Sequence, residues 1–326
     1  MSNKPEPEVA TPPNFYDFLD HVENLDGSIT RLRTLPATPA APDHPVVPSK
    51  DYILNPTKKT WLRVYLPRQA LDSSFSSSSR KLPLIVYFHG GGYVICSAET
   101  SLFHEFCLSM AAQVGAVVVS VEYRLAPEHR LPAAYEDAVD ALHWIKNSDD
   151  DWLKTYSDVT NCFLMGTSAG GNLAYFAGLW AIDADLGHLK IRGLILHHIF
   201  VGGTQRTESE KKLENDAVLP LRATDLMWQW ALPKGADRDH EYSNPTAAKR
   251  FHDDCKKIKE LGWKIWVNGV DGDLLFDKIV EFVRIMEEKG VRVVGKFGAG
   301  DYHVVELFDP SKAKAMFGHI KDFVLP

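Results

Sequence analysis

From Leu82 onward, short apolar runs alternate with longer amphipathic stretches. Residues 84–88, 116–121, 162–165, 191–196, 264–267 and 291–297 are brief, apolar and rich in β-branched residues, so they predict buried strands. Between them, residues 102–114, 133–146, 169–181, 274–289 and 311–323 carry apolar positions at helical spacing. Buried strands alternating with helices predict βαβ units around a mostly parallel sheet, an α/β class. The first 50 residues differ, being rich in proline and poor in periodic apolar runs. Within them, 15–22 predicts a short amphipathic helix, and 27–35 together with the later 61–66 predict strands. The serine-rich stretch 71–80 predicts a mobile surface loop. About 65 residues separate the strand at 191–196 from the one at 264, too many for a plain loop. That interval carries Trp228 and Trp230, and it predicts an insertion over the carboxyl edge of the sheet, joined there by the proline-rich start. The two tryptophans, two positions apart, face differently: one is expected to pack the insertion and the other to line a pocket.

Composition narrows the class without naming the chemistry. Of 326 residues, 45% are hydrophobic and 24% charged, which excludes a disordered chain, a collagen and a coiled coil. A net charge of −7 argues against a dedicated nucleic-acid or anionic-membrane partner. The four cysteines, Cys96, Cys107, Cys162 and Cys255, include no CxxC pair, so neither a zinc ribbon nor a redox pair is expected, and a core this large needs no disulfide staple. No apolar run reaches the ~18 residues that span a bilayer. Residues 1–13 lack the basic and apolar regions of a signal peptide, and both potential sequons, at Asn55 and Asn244, are blocked by proline. These features predict a cytoplasmic protein.

Gly166-Thr167-Ser168-Ala169-Gly170 fits G-x-S-x-G, with a predicted strand directly before it and a predicted helix directly after. A serine on such a turn presents its hydroxyl above the sheet as a nucleophile, and the small residues around it allow the turn to be tight. His89-Gly90-Gly91-Gly92 follows an earlier strand, and its glycines leave backbone N–H groups unshielded. Gly91 and Gly92, with Ala169 after the serine, are the candidate oxyanion donors, and His89 is expected to brace the loop. A base and an acid are then sought after the serine. His303 follows the last predicted strand and Asp273 the one before it, which places both on the carboxyl edge with Ser168. Asp271 and Asp277 compete with Asp273 for the acid's place. Together these form a nucleophile, a base that takes its proton, and a carboxylate that sets the base's tautomer.

These motifs, with Tyr123-Arg124-Leu125-Ala126-Pro127-Glu128, Leu131-Pro132-Ala133-Ala134, Gly171-Asn172 and the stretch from Gly235 to Pro245, resemble the plant carboxylesterases. Those belong to the hormone-sensitive-lipase-like branch of the α/β-hydrolases, which includes the gibberellin receptors. The resemblance covers the chain from about residue 15 to its end. It implies one α/β-hydrolase domain over 1–326, with an eight-stranded mostly parallel sheet, helices on both faces and a helical cap from about 1–45 and 200–250. It also implies no cofactor, no metal, and a small carboxylic ester as partner, and it leaves the oligomeric state open.

Two departures from the family pattern stand out. Where the family usually carries Asp or Glu before the nucleophile, this chain has Thr167, which is either a neutral change or a tuned site. His197-His198 follows a strand, and alternation along an extended chain lets at most one face the pocket. The alternatives are a histidine bonded to backbone or one that contacts substrate; two histidines with no carboxylate spaced nearby do not make a metal site. Thr167, His197, His198 and Tyr302 are therefore the candidate pocket residues. Three functions follow in order of preference: a serine esterase, a dehydratase or cyclase of plant specialised metabolism on the same scaffold, and a non-catalytic hormone receptor. The receptors lack the histidine that this chain retains at His303.

Overall fold

The structure, a computed structural model, describes residues 14–25, 28–71 and 81–325. The expectations for 1–13 and for most of the serine-rich loop lie outside the described residues. The strands are β1 His21–Glu23, β2 Ile29–Arg31, β3 Ser49–Asn55, β4 Thr60–Tyr65, β5 Leu82–Phe88, β6 Val117–Glu122, β7 Ser157–Thr167, β8 Ile191–His197, β9 Lys264–Gly272 and β10 Arg292–Tyr302. The α-helices are α1 Ser101–Met110, α2 Ala133–Asn147, α3 Asp151–Tyr156, α4 Ala169–Ala181, α5 Glu208–Lys212, α6 Leu221–Ala231, α7 Phe251–Glu260, α8 Phe276–Glu288 and α9 Pro310–Val324. Eight strands form one sheet in the order β10-β9-β8-β7-β5-β6-β4-β3, and β1 pairs with β2 apart from it. From β6 to β10 the pairing is parallel, while β4 runs antiparallel to both β3 and β6. This is the expected eight-stranded, mostly parallel sheet, with helices on both faces.

Every residue of β5 is buried, because helices cover both faces of the sheet. Alternate side chains enter two separate cores. Leu84, Val86 and Phe88 belong to the core that also takes side chains of α2, α4 and α8 on one face. Ile85 and Tyr87 belong to the core that takes side chains of α1 and α9 on the other. Helix α8 shows the helical spacing directly, burying Ile279, Phe282, Val283 and Met286. It stops at Gly290, whose φ of 80° ends the helix without a steric penalty.

Differences from the sequence pattern are concentrated at the margins of the sheet. β10 was expected to be buried, but it is the edge strand, with β9 as its single neighbour, and it is largely exposed. The helix expected at 15–22 is a 3₁₀ turn, Phe15–Leu19, followed by β1. The strand expected at 27–35 is confined to β2. β3 was not expected; its alternating SKDYILN pattern is masked by the proline-rich flank. Helix α3 was also missed, though Asp150 caps it by accepting from the N–H groups of Trp152 and Leu153. The expected 102–114 helix ends as α-helix at Met110 and closes with one π turn, Ala111–Gly115. The insertion between β8 and β9 is helical, as expected, and holds α5, α6 and α7.

Helix α9 offers a direct check on the assignment of its faces. Gly318 is exposed in the helix interior, and a Cβ added there meets nothing within 4 Å. Gly318→Ala is expected to stabilise the protein by about 0.5–1 kcal/mol through the lost freedom of the unfolded chain, read as a raised Tm. A lowered Tm would mean that this face packs against something.

Candidate active site

Strand β7 delivers Thr167 to the carboxyl edge, and the chain turns at once into α4. Ser168 sits at the turn with φ 55° and ψ −116°, a conformation that an L-residue adopts only under constraint. The constraint is visible in its bonds. Ser168 N–H donates to His197 O at 2.8 Å, and Ser168 O accepts from the N–H groups of Phe200 at 3.0 Å and Gly171 at 2.9 Å. Two glycines make the turn sterically feasible. A Cβ on Gly166 would lie 1.9 Å from Gly170 O, and one on Gly170 would lie 2.0 Å from Phe88 O.

The Ser168 hydroxyl lies 3.0 Å from His303 Nε2, and His303 Nδ1 lies 2.6 Å from Asp273 Oδ2. Asp273 follows β9 directly, and its Oδ1 accepts from Leu275 N–H at 2.9 Å. The competing aspartates go elsewhere. Asp271 Oδ1 accepts from Gly300 N–H, and Asp277 Oδ2 accepts from Ser209 N–H. Asp273 is only 1% exposed, yet the imidazoles of His303 and His198 hold its carboxyl well below the usual carboxylate range against the opposing effect of burial.

The glycine loop after β5 lies against the serine. A Cβ on Gly90 would sit 3.4 Å from Ser168 Cβ, and Gly91 and Gly92 have φ of 110° and 61°. Among the described residues, none accepts from the backbone N–H groups of Gly91, Gly92 or Ala169. His89 is fully buried, and burial pulls it down to about 4. Being neutral, it forms no ion pair with Glu122 across 3.8 Å. Instead, its Nδ1 lies 2.8 Å from Gly90 O, and it stacks on Tyr123, whose hydroxyl donates to His89 O at 2.8 Å.

Asn172, one turn into α4, ties the surrounding elements together. Its side-chain oxygen accepts from Tyr93 at 2.6 Å and Tyr135 at 2.9 Å, and its NH₂ donates to Phe200 O at 3.0 Å and Tyr242 O at 2.8 Å. The glycine loop, α2 and the insertion thus meet on one fully satisfied amide.

Apolar side chains wall the space above Ser168: Phe15, Phe103, Phe200, Leu219, Met227, Val304 and Leu307. It leaves about 20 Å³ for a water-sized sphere, room for about one water. Thr167 borders it; His197, His198 and Tyr302 do not. Tyr302 is partly buried at the end of β10, against Phe308. Neither tryptophan lines the space. Trp228 stacks on Phe200 at 4.3 Å, Trp230 meets His21 edge-on, and Met227 takes the lining position.

His197 and His198 were expected to point apart. They do not, because His198 leaves the strand at φ 46°, and both rings reach one carboxylate oxygen. His197 Nε2 is 3.0 Å and His198 Nε2 3.1 Å from Glu306 Oε2. His198 Nδ1 is 2.9 Å from Asp273 Oδ2, and His197 Nδ1 is 2.8 Å from Thr167 Oγ1, which in turn meets Tyr87 OH at 2.8 Å. Glu306 and Asn268, which donates to Glu306 Oε1 at 2.9 Å, were missed by sequence reasoning. The one signal for Glu306 was its place as a lone acid inside the apolar run Val304-Val305-Glu306-Leu307-Phe308. His197, His198 and Glu306, and likewise His198, Asp273 and His303, are close enough to be tested as metal groups. In both sets each imidazole nitrogen that faces a carboxylate oxygen lies 2.6–3.1 Å from it, the geometry of direct hydrogen bonds.

The elbow generates one stability prediction. Gly170→Ala forces a methyl group into the backbone of β5, so thermal unfolding should show a loss of more than about 3 kcal/mol or no cooperative transition. A variant as stable as the parent would mean that the turn is not built as described.

Residues 85–307 match the family model described as the alpha/beta hydrolase fold. The chain is 51% identical to carboxylesterase 20 of Arabidopsis thaliana, over 99% of this chain and 98% of that one. It is 43% identical to a 3-O-acetylpapaveroxine carboxylesterase of Papaver somniferum, over 95% of this chain and 97% of that one. Among solved structures, an esterase of Pyrobaculum calidifontis superposes with a TM-score of 0.71 at 28% identity, covering 87% of this chain and 88% of that one. With its elbow, its glycine loop and its kinship over almost the whole length, the chain belongs to the plant carboxylesterases of the α/β-hydrolase superfamily.

Proposed function

We propose that this chain, a carboxylic ester hydrolase by family, cleaves a small ester through an acyl-enzyme on Ser168. The observation that carries this reading is the unbroken line Ser168 Oγ, His303, Asp273, with separations of 3.0 and 2.6 Å. His303 takes the hydroxyl proton as Ser168 attacks the ester carbonyl, while Asp273 holds the imidazole in the required tautomer and stabilises its charged form. The N–H groups of Gly91, Gly92 and Ala169 receive the developing oxyanion. His303 then returns the proton to the leaving alcohol, and water repeats the sequence on the acyl-enzyme. No step calls for a cofactor.

The apolar walls favour an uncharged substrate, and the small free volume favours a short acyl group unless the walls move. Phe15 and Met227 come from the two segments that we read as a cap on a single domain. Their mutual contacts support that reading: Phe15 N–H donates to Val218 O at 2.8 Å, and the Arg222 guanidinium lies 4.0 Å from the centre of the Tyr16 ring. A specialised plant ester with a short acyl group is therefore the substrate class that we favour. The name of the Papaver relative, an acetyl ester hydrolase, is consistent with it. The free state of all four cysteines accords with a cytoplasmic setting, and among the described residues no helix is long and apolar enough to cross a membrane. The elimination reading drew on Thr167 and the histidine pair, but His197 and His198 face carboxylates and not the pocket.

Asp273→Asn is expected to lower kcat by about 10⁴ with the fold intact, while Asp271→Asn and Asp277→Asn stay within about tenfold of the parent. The reverse pattern would move the acid's role to another aspartate. Hydrolysis and elimination separate in steady-state assays of Ser168→Ala and His303→Ala. Hydrolysis requires both variants to be inactive. An eliminase would lose activity in His303→Ala but keep it in Ser168→Ala.

A further inference from the structure

Beyond Ser168, His303 and Asp273, the hydrogen bonds continue into groups that the acyl-enzyme cycle does not use. Asp273 and Glu306 are carboxylates at 1% and 9% exposure, and His198, fully buried, stands between them. Each carboxylate meets three donors. Asp273 faces Leu275 N–H, His303 and His198, and Glu306 faces Asn268, His197 and His198. Both nitrogens of His198 are engaged with carboxylate oxygens, at 2.9 and 3.1 Å, so one ring with protons on both nitrogens satisfies both acids. A backbone donor, Val304 N–H, lies 3.5 Å from His198 Nδ1, too far to compete. His197 needs only one proton. Its Nε2–H donates to Glu306, and its Nδ1 accepts from Thr167.

We propose that His198 is a positioning residue of the esterase: an imidazolium pinned between Asp273 and Glu306, it orients the Asp273 carboxylate toward His303 and limits how tightly His303 holds the proton taken from Ser168. This inference rests on the esterase reading above. Burial alone would pull His198 down, yet the charges and hydrogen bonds of Glu306 and Asp273 push it up to about 10. Burial also lowers His197, in keeping with a neutral ring there. The titratable groups facing His198 are Asp273, Glu306, His197 and His303; those facing His303 are Asp273, Ser168 and His198. The His198 and His303 rings lie 5.5 Å apart at 87°. A fixed cation at that distance opposes the second imidazolium formed when His303 takes a proton. With Asp273 and Glu306 charged, the three groups carry one net negative charge, and the proton on His303 brings the cluster to neutrality. His198 keeps both of its protons throughout, so no proton travels along the chain.

The test is the pH profile of kcat/KM on a nitrophenyl acetate with the full-length enzyme. His198→Asn retains a short neutral amide donor near Asp273 and removes the cation. Its acid limb is expected to move up by about one pH unit, whereas that of Glu306→Gln, which removes a negative charge, does not move up. A mere packing defect would lower kcat in both variants without this difference in direction. A limb in His198→Asn that stays in place or moves down, in a variant that still melts cooperatively, overturns the proposal. Should that variant not fold, ¹⁵N-histidine spectra of Ser168→Ala decide: one ring with protons on both nitrogens at about pH 8 is expected. Its absence means a neutral His198 facing a protonated Glu306 and overturns the proposal. One equivalent of zinc bound to the purified protein would do the same, since metal-bound nitrogens carry no proton. The esterase reading fails separately, if the parent enzyme hydrolyses no ester while the doubly protonated ring is present.

Discussion

The backbone of Ser168 is the constraint on which the site depends. A residue at φ 55° and ψ −116° costs about 1–3 kcal/mol and survives only where its neighbours leave no alternative. Here they leave none: β7 arrives buried, α4 departs at once, and Gly166 and Gly170 permit backbones to pass within distances that no Cβ could tolerate. The same turn exposes the hydroxyl toward His303, sets Ala169 N–H beside it, and starts the helix whose Asn172 anchors the glycine loop and the insertion. One local strain thereby positions the Ser168 hydroxyl, a hydrogen-bond donor and a pocket wall.

A second constraint is electrostatic. Two carboxylates taken out of water are tolerated only when their oxygens meet hydrogen-bond donors and part of their charge is offset. Asp273 and Glu306 meet this condition through three histidines, one asparagine and one backbone N–H, all contributed by segments at the carboxyl edge of the sheet. Thr167 and Tyr87 extend the network beneath the elbow without adding charge. The negative charge absent at position 167 is thus present nearby at Glu306, one histidine away.

How much was legible in the sequence follows from how local each cause is. The elbow, the glycine loop and His303 announce themselves because their geometry is imposed by adjacent residues and by the strand that precedes each. The central strands were legible for the same reason, since continuous apolar runs report burial on both faces. Asp273 was preferred in sequence but could not be fixed against Asp271 and Asp277, because what distinguishes them is a partner reached only in three dimensions. Glu306 showed only as a lone acid in an apolar run, its histidine partners lying more than a hundred residues away. The rule of alternation misjudged His198 because the strand ends one residue earlier, at a positive φ that no pattern signalled. β10 was misread as buried because an edge strand and a central one can share the same valine-rich start.

The account's central claim is that Ser168 carries the nucleophile. It is tested most directly by treating the enzyme with an organophosphonate ester and mapping the adduct by peptide mass spectrometry. The account predicts a single adduct on the peptide containing Ser168, formed in step with loss of esterase activity and absent from Ser168→Ala. An adduct on another residue, or full activity after Ser168 has been modified, would contradict it.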